Sequence, residues 1–306
     1  AAKPLVCRER WHDCRRKLRR GNGELTMKRA LAMWVLLAWV PAAHAQSADS
    51  LFKDNFEPFL APLNDTGVFW CANNEVGRLT CPQSGFPDQD GDHGRDALAR
   101  LGLLNKIGGG AAGFDYTKIT NSGLPVPPDF ALGPDPNNWG CTRDNATRLL
   151  WEVKVDNPGL LRHMGHRYTW YSTDASVNGG VPGSLGTAAT CNGTLAQCNT
   201  QAYVAAVNAQ GMCGFNDWRL PTLQELQGII HYGVHTTRAT LDALYFVNTV
   251  PPNGSLYTWT GSTSAYGIAT VGDAAWYVSF ESSAISIWDG GPKDADLHVR
   301  LVRGGQ

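Results

Sequence analysis

Apolar positions are distributed very unevenly along this chain. The one long apolar run is Ala30 to Val40 (ALAMWVLLAWV), which follows the basic Met27-Lys28-Arg29 and ends at Pro41, just ahead of Ala43-His44-Ala45. Residues 46–140 keep no period. Gly and Pro recur there, as in Gly108-Gly109-Gly110 and Pro125-Val126-Pro127-Pro128. Short runs such as Val68-Phe69-Trp70 predict small strands or a hairpin, and Asp96–Leu104 reads as a short helix. From residue 141 the pattern becomes regular. Leu149–Val153 reads as a strand, and Thr200–Gln210 has helical spacing with Tyr203, Val204 and Val207 on one side. A second helix follows Pro221: Thr222 and Glu225 have capping-box spacing, and Leu223, Leu226, Ile229 and Ile230 supply an apolar stripe. Thr258-Trp259 and the alternating segments 275–280 and 298–303 then read as strands. Strand, helix, helix, strands is the order of an α+β domain with an antiparallel sheet.

A charged start, an apolar run and a small-x-small end are the three parts of a secretory signal peptide. Its apolar stretch is far shorter than the roughly 20 residues a membrane span needs. Residues 27–45 are therefore expected to be a signal peptide, with a mature chain beginning at Gln46. Residues 1–26 are expected to be an upstream extension from a start site placed too early. The mature part divides into a turn-rich N-terminal subdomain, 46–140, and a regular domain, 141–306.

Charge narrows the function. The chain carries 26 Lys+Arg against 27 Asp+Glu, for a net charge of −1. Ten of the basic residues and three of the acidic ones lie in residues 1–45. That segment is thus +7, leaving −8 for residues 46–306. An acidic folded part argues against nucleic acid as a partner. Its 43% apolar and 17% charged content excludes a disordered chain and a coiled coil.

Beyond residue 45 six cysteines remain: Cys71, Cys81, Cys141, Cys191, Cys198 and Cys213. An even number in an exported chain reads as disulfides. Close spacing favours Cys71–Cys81 and Cys191–Cys198, which leaves Cys141 with Cys213. Six cysteines allow about 15 pairings, so connectivity stays open. Zinc is disfavoured because no pair has the short gap of a zinc motif. Asp88-Gln89-Asp90-Gly91-Asp92 starts like a calcium loop, yet His93 stands where the glycine belongs and Ala99 where the closing glutamate belongs. A polar turn before a helix is the expected role. His231 and His235 are four apart, but the residues between them hold no glutamate of the metalloprotease motif.

Four blocks resemble a known bacterial family: Asp144–Glu152 (DNATRLLWE), Asn216–Leu226 (NDWRLPTLQEL), Ala275–Val278 (AWYV) and Val299–Gly305 (VRLVRGG). In this order they are similar to the successive blocks of the DUF1566 domain, found at the C-terminal end of the Legionella collagen-like adhesin. The second and fourth blocks are also similar to those of formylglycine-generating enzymes. That likeness implies a C-type-lectin-like domain with two helices and a small antiparallel sheet, loop-rich and disulfide-bonded. Arg148 stands where the family usually has glycine. Trp218, Arg219, Thr222, Glu225 and Arg300 are expected to be structural members of the conserved-looking blocks rather than chemical ones.

The expected function is that of an exported, non-catalytic module that binds a glycan or protein ligand in the periplasm or at the cell surface, or after secretion. A structural or assembly protein of the envelope is the alternative. No cysteine follows Cys213, so the thiolate of a formylglycine-type oxidase has no counterpart. No Gly-x-Ser-x-Gly elbow is present, and neither a cofactor nor a metal is expected. The binding surface is expected in the loops of 259–297. There Trp259, Tyr266 and Trp288 would stack on a ligand, and Asp273, Asp289, Asp294 and Asp296 would accept hydrogen bonds or pair with basic groups. Trp218 and Trp276 are expected in the core.

Overall fold

The computed structural model describes residues 64–234, 239–249, 256–265, 272–281 and 290–304. Five strands form one antiparallel sheet in the order β2-β1-β3-β4-β8: β1 is Tyr116–Thr120, β2 Pro125–Val126, β3 Trp139–Asp144, β4 Leu150–Glu152 and β8 Val302–Arg303. A second antiparallel sheet joins β5 (Tyr257–Thr263), β6 (Ala274–Ser279) and β7 (Gly291–Pro292). The α-helices among the described residues are α1 (Gly94–Arg100), α2 (Thr200–Gln210) and α3 (Leu223–Gln227). None of the described helices is long and apolar enough to cross a membrane. The expected α+β class with antiparallel sheets is what the chain forms. The larger sheet runs across the boundary expected at residue 141, because β1 and β2 precede it and β1 pairs with β3 from Tyr116↔Asp144 to Thr120↔Trp139.

Alternation along the strands builds two cores, since successive side chains leave opposite faces of a sheet. In and beside β4, Leu150 enters one core while Leu149 and Trp151 enter the other. Leu301 and Val302 divide in the same way. The first core gathers Trp170, Tyr203, Val207, Trp218, Trp259 and the half-cystines Cys141, Cys191, Cys198 and Cys213. The second holds Tyr116, Leu226, Ile229, Ile230, Phe246 and Phe280. Thus α2 serves one core, through the Tyr203 and Val207 stripe read from its spacing, and α3 serves the other. Helix α2 starts where the Asn199 side chain accepts the Ala202 N–H at 2.9 Å, and it stops at Gly211, whose φ of 64° suits glycine.

Helix α3 carries its capping box: the Thr222 hydroxyl accepts from Glu225 N, and the Glu225 carboxylate accepts from Thr222 N at 2.8 Å. The same carboxylate takes both ends of the Arg219 guanidinium, at 2.8 and 2.7 Å. Arg219 also donates to the Gly304 carbonyl, so one residue ties the helix entry to the closing strand. Burial alone would raise the Glu225 pKa. The Arg219 and Thr222 donors outweigh it and hold the carboxyl below its ordinary value. Losing this cap and ion pair together should cost about 1–2 kcal/mol. Glu225→Ala is therefore expected to lower the denaturation midpoint, with a smaller loss near the acid pH at which the wild-type carboxyl is already protonated. Equal midpoints at pH 7 would show that the cap contributes nothing.

The cysteines pair as Cys71–Cys81, Cys141–Cys213 and Cys191–Cys198. The first closes a small hairpin-like loop in which Cys71 and Leu79 exchange both backbone hydrogen bonds. The expected Asp96–Leu104 helix ends sooner, at Arg100, with Gly102 at a φ of 70°. Asp96 itself is buried and accepts the N–H groups of Gly67 and Gly113 at 2.7 and 2.6 Å. Burial is the main cause of its raised pKa, and Asp65 and Asp90 add to it.

Candidate functional site

The expected binding segment contributes one wall of a cleft of about 470 Å³. It is lined by Val181, Gly183 and Ser184 on one side and by Asp273, Pro292, Lys293 and Asp294 on the other. Backbone pairing fixes the second wall. Pro292 lies opposite Ala274 in the β6–β7 ladder, and the Lys293 N–H donates to the Asp273 carbonyl at 3.0 Å. The two walls meet at Trp170. Its N–H donates to the Lys293 carbonyl at 2.8 Å, and its carbonyl accepts from Ser184 N at 3.1 Å. Gly183, at a φ of 98°, passes so close to the Trp170 carbonyl that an added Cβ would sit 2.2 Å from that oxygen.

Lys293 holds the cleft in shape. Its ammonium is buried and donates to three carbonyls: Asn178 at 2.7 Å, and Val181 and Gly272 at 2.6 Å each. It also lies 4.4 Å from the centre of the Trp170 ring. Three N–H donors meet three carbonyls and an aromatic face, which compensates a buried cation. Burial lowers the Lys293 pKa, and Asp273 opposes that. The amine thus pins the 178–181 loop to the turn at 272, and the polar and acidic residues that line the cleft beside it are Ser184, Asp273 and Asp294. These offer hydrogen-bond acceptors and negative charge. No histidine or cysteine lines this cleft among the described residues.

The other expected ligand residues are placed differently. Trp259 is a correction: it is fully buried in the first core, and its indole N–H donates to the Tyr168 carbonyl at 2.8 Å. A ring sealed in this way cannot stack on a ligand. Tyr266, Trp288 and Asp289 lie outside the described residues. Trp218 is in the core as expected, with its indole N–H on the Met212 carbonyl, whereas Trp276 is half-buried. Arg300 is buried and donates to the Glu152 carbonyl, a structural position. His231 packs against Phe114 in the second core's region and burial lowers its pKa; His235 lies outside the described residues. Asp88 faces His93 and Asp90 accepts the Thr66 hydroxyl, so these two carboxylates turn to different partners. Asp92 lies near Cys71 and Cys81, whose sulfurs are already joined to each other.

Asp273 and Asp294, both expected as ligand residues, line this cleft, and Lys293 is the lining residue that the sequence reading missed. No curated protein and no solved structure matches the chain. A family model does: that of the Lcl C-terminal domain, over residues 140–303. This range holds all of β3 but its first residue, β4 to β8, both cleft walls, the first three motif blocks and Val299–Arg303 of the fourth, and the chain belongs to the Lcl C-terminal domain family.

Proposed function

We propose that this chain is an exported, non-catalytic binding module of the adhesin type, which holds a glycan or protein ligand at the Asp273–Asp294 cleft. The observation that carries the reading is the cleft itself: a concave space of about 470 Å³ whose walls are pinned by a buried lysine and whose lining includes the carboxylates of Asp273 and Asp294. Carboxylates paired with a serine hydroxyl suit the hydroxyls of a sugar or the basic groups of a protein. Membership of an adhesin-derived family supports the binding role. The three disulfides favour an extracellular or periplasmic site of action. We read the scaffold as C-type-lectin-like, in which loops recognise and the sheets support them.

A screen of the purified protein against glycans and candidate protein partners tests this. Once a ligand is found, Asp273→Asn and Asp294→Asn should each weaken binding about tenfold, the worth of one charge-assisted hydrogen bond, and leave the melting temperature within about 1 °C. Binding that survives both substitutions would place the site elsewhere.

A further inference from the structure

A second, much smaller space lies beside the end of β4 and the 298–300 segment. It has a volume of about 20 Å³ and is lined by Lys154, Thr249, Thr258, His298 and Arg300, with Leu256 and Phe280 among the apolar neighbours. That is room for one water-sized occupant. Its walls are strongly cationic. Lys154 and Arg300 are both buried, at 6% and 3% exposure. Lys154 spends two of its three donors, on Glu152 Oε1 at 2.8 Å and on the Tyr203 hydroxyl at 2.9 Å. Arg300 spends two of its five, on the Glu152 backbone carbonyl at 2.6 Å and the Thr249 hydroxyl at 3.0 Å. Its guanidinium forms no ion pair with any carboxylate among the described residues, and its nearest ring is Phe246, at 5.4 Å.

Two buried cations therefore share one carboxylate, that of Glu152. A buried charge without a counter-charge is strongly unfavourable. The other polar groups at the cavity, the Thr249 and Thr258 hydroxyls, the Asn248 amide and the His298 imidazole, bring no negative charge, and the Thr249 hydroxyl already donates to the Phe246 carbonyl at 2.6 Å. Asn248 already donates to the Lys154 carbonyl. Burial lowers Lys154 to about 8 and Arg300 to about 10, so both remain mainly charged at pH 7.

We propose that this cavity is a binding site for one small monovalent anion of chloride size, held between Lys154 and Arg300. The anion neutralises the cluster where β4, the 248–249 turn and the 298–301 segment meet, and so contributes to the stability of the fold. The site is separate from the Asp273–Asp294 cleft, whose chemistry is acidic, and does not depend on the ligand of that cleft.

The test is thermal unfolding of the full chain at pH 7 and constant ionic strength, with sodium gluconate replaced stepwise by chloride or bromide. Gluconate is too large for the cavity, and constant ionic strength removes general screening. A saturating rise in melting temperature of about 2–4 °C is expected with either halide. The rise should vanish in Arg300→Met and in Lys154→Met. Should either variant fail to fold, the anomalous signal of a bromide-soaked wild-type crystal decides, with a peak expected in this cavity. Equal melting temperatures in gluconate and chloride overturn the proposal, as does water in place of bromide at the cavity.

Discussion

Opening the Cys141–Cys213 bond should destabilise the protein by about 4 kcal/mol, the largest effect of any single disulfide. The two residues are 72 positions apart, against separations of 10 and 7 for Cys71–Cys81 and Cys191–Cys198. In the chain-entropy account a longer closed loop restricts the unfolded chain more, and a loop of this size corresponds to about 4 kcal/mol against about 3 or less for the short ones. Packing adds to it. Both sulfurs are fully buried in the first core, and Cys141 sits in β3 opposite Glu152 of β4. The paired substitution Cys141→Ala, Cys213→Ala avoids burying free thiols. Its denaturation midpoint, compared with that of Cys71→Ala, Cys81→Ala, gives the ranking directly. A smaller loss for the long-range pair than for the short-range one would refute the argument.

The helices were legible because their signals are local. The Tyr203 and Val207 stripe of α2 and the Thr222–Glu225 box of α3 each depend on residues within one or two turns, and both formed as read. Helix α3 is nevertheless shorter than its apolar stripe. Ile229 and Ile230 are buried beyond its end, because a core can draw in apolar side chains whatever the backbone between them does. The sheet order was not legible. Pairing of β4 with β8 joins Trp151 to Val302 across half the chain, and no local pattern specifies it.

The candidate site divides along the same line. Asp273 was read from the sequence and lies in the cleft. Trp259 was misread because its Gly and Ser neighbours looked like a displayed loop. They belong to β5, where three successive residues, Thr258, Trp259 and Thr260, are buried, so this strand is covered on both faces. Lys293 gave no signal of its own, since a lysine beside a Gly-Pro turn is ordinarily solvated. Carbonyls from residues 178, 181 and 272 recruit it, and their convergence is a property of the fold. A readable signal was missed at Glu152 and Lys154. In a strand they alternate with Trp151 and Val153 and share a face with Leu150, so their charges point toward a core.

Glu152→Ala should therefore destabilise the protein by about 3–5 kcal/mol, the scale for breaking a buried ion pair. One carboxylate ties together three chain segments: its own, α2 and the 298–301 segment. Its Oε1 accepts from Lys154 at 2.8 Å and from the Tyr203 hydroxyl of α2, and its Oε2 accepts from Leu301 N at 2.9 Å. Removing it leaves the Lys154 ammonium without its counter-charge and the Tyr203 hydroxyl and Leu301 N–H buried without their acceptor, each with its own desolvation penalty. The expected remedy identifies the cause. Glu152→Leu combined with Lys154→Met removes both charges, keeps the volume, and should be more stable than Glu152→Ala even though it changes more residues. If the loss were only packing, the double variant would be no better, and the charge account would fail. Glu152→Ala should also depend more steeply on chloride than the wild type, because the cations it uncovers then have only the anion to balance them. Unfolding of both variants in gluconate and in chloride separates the two contributions.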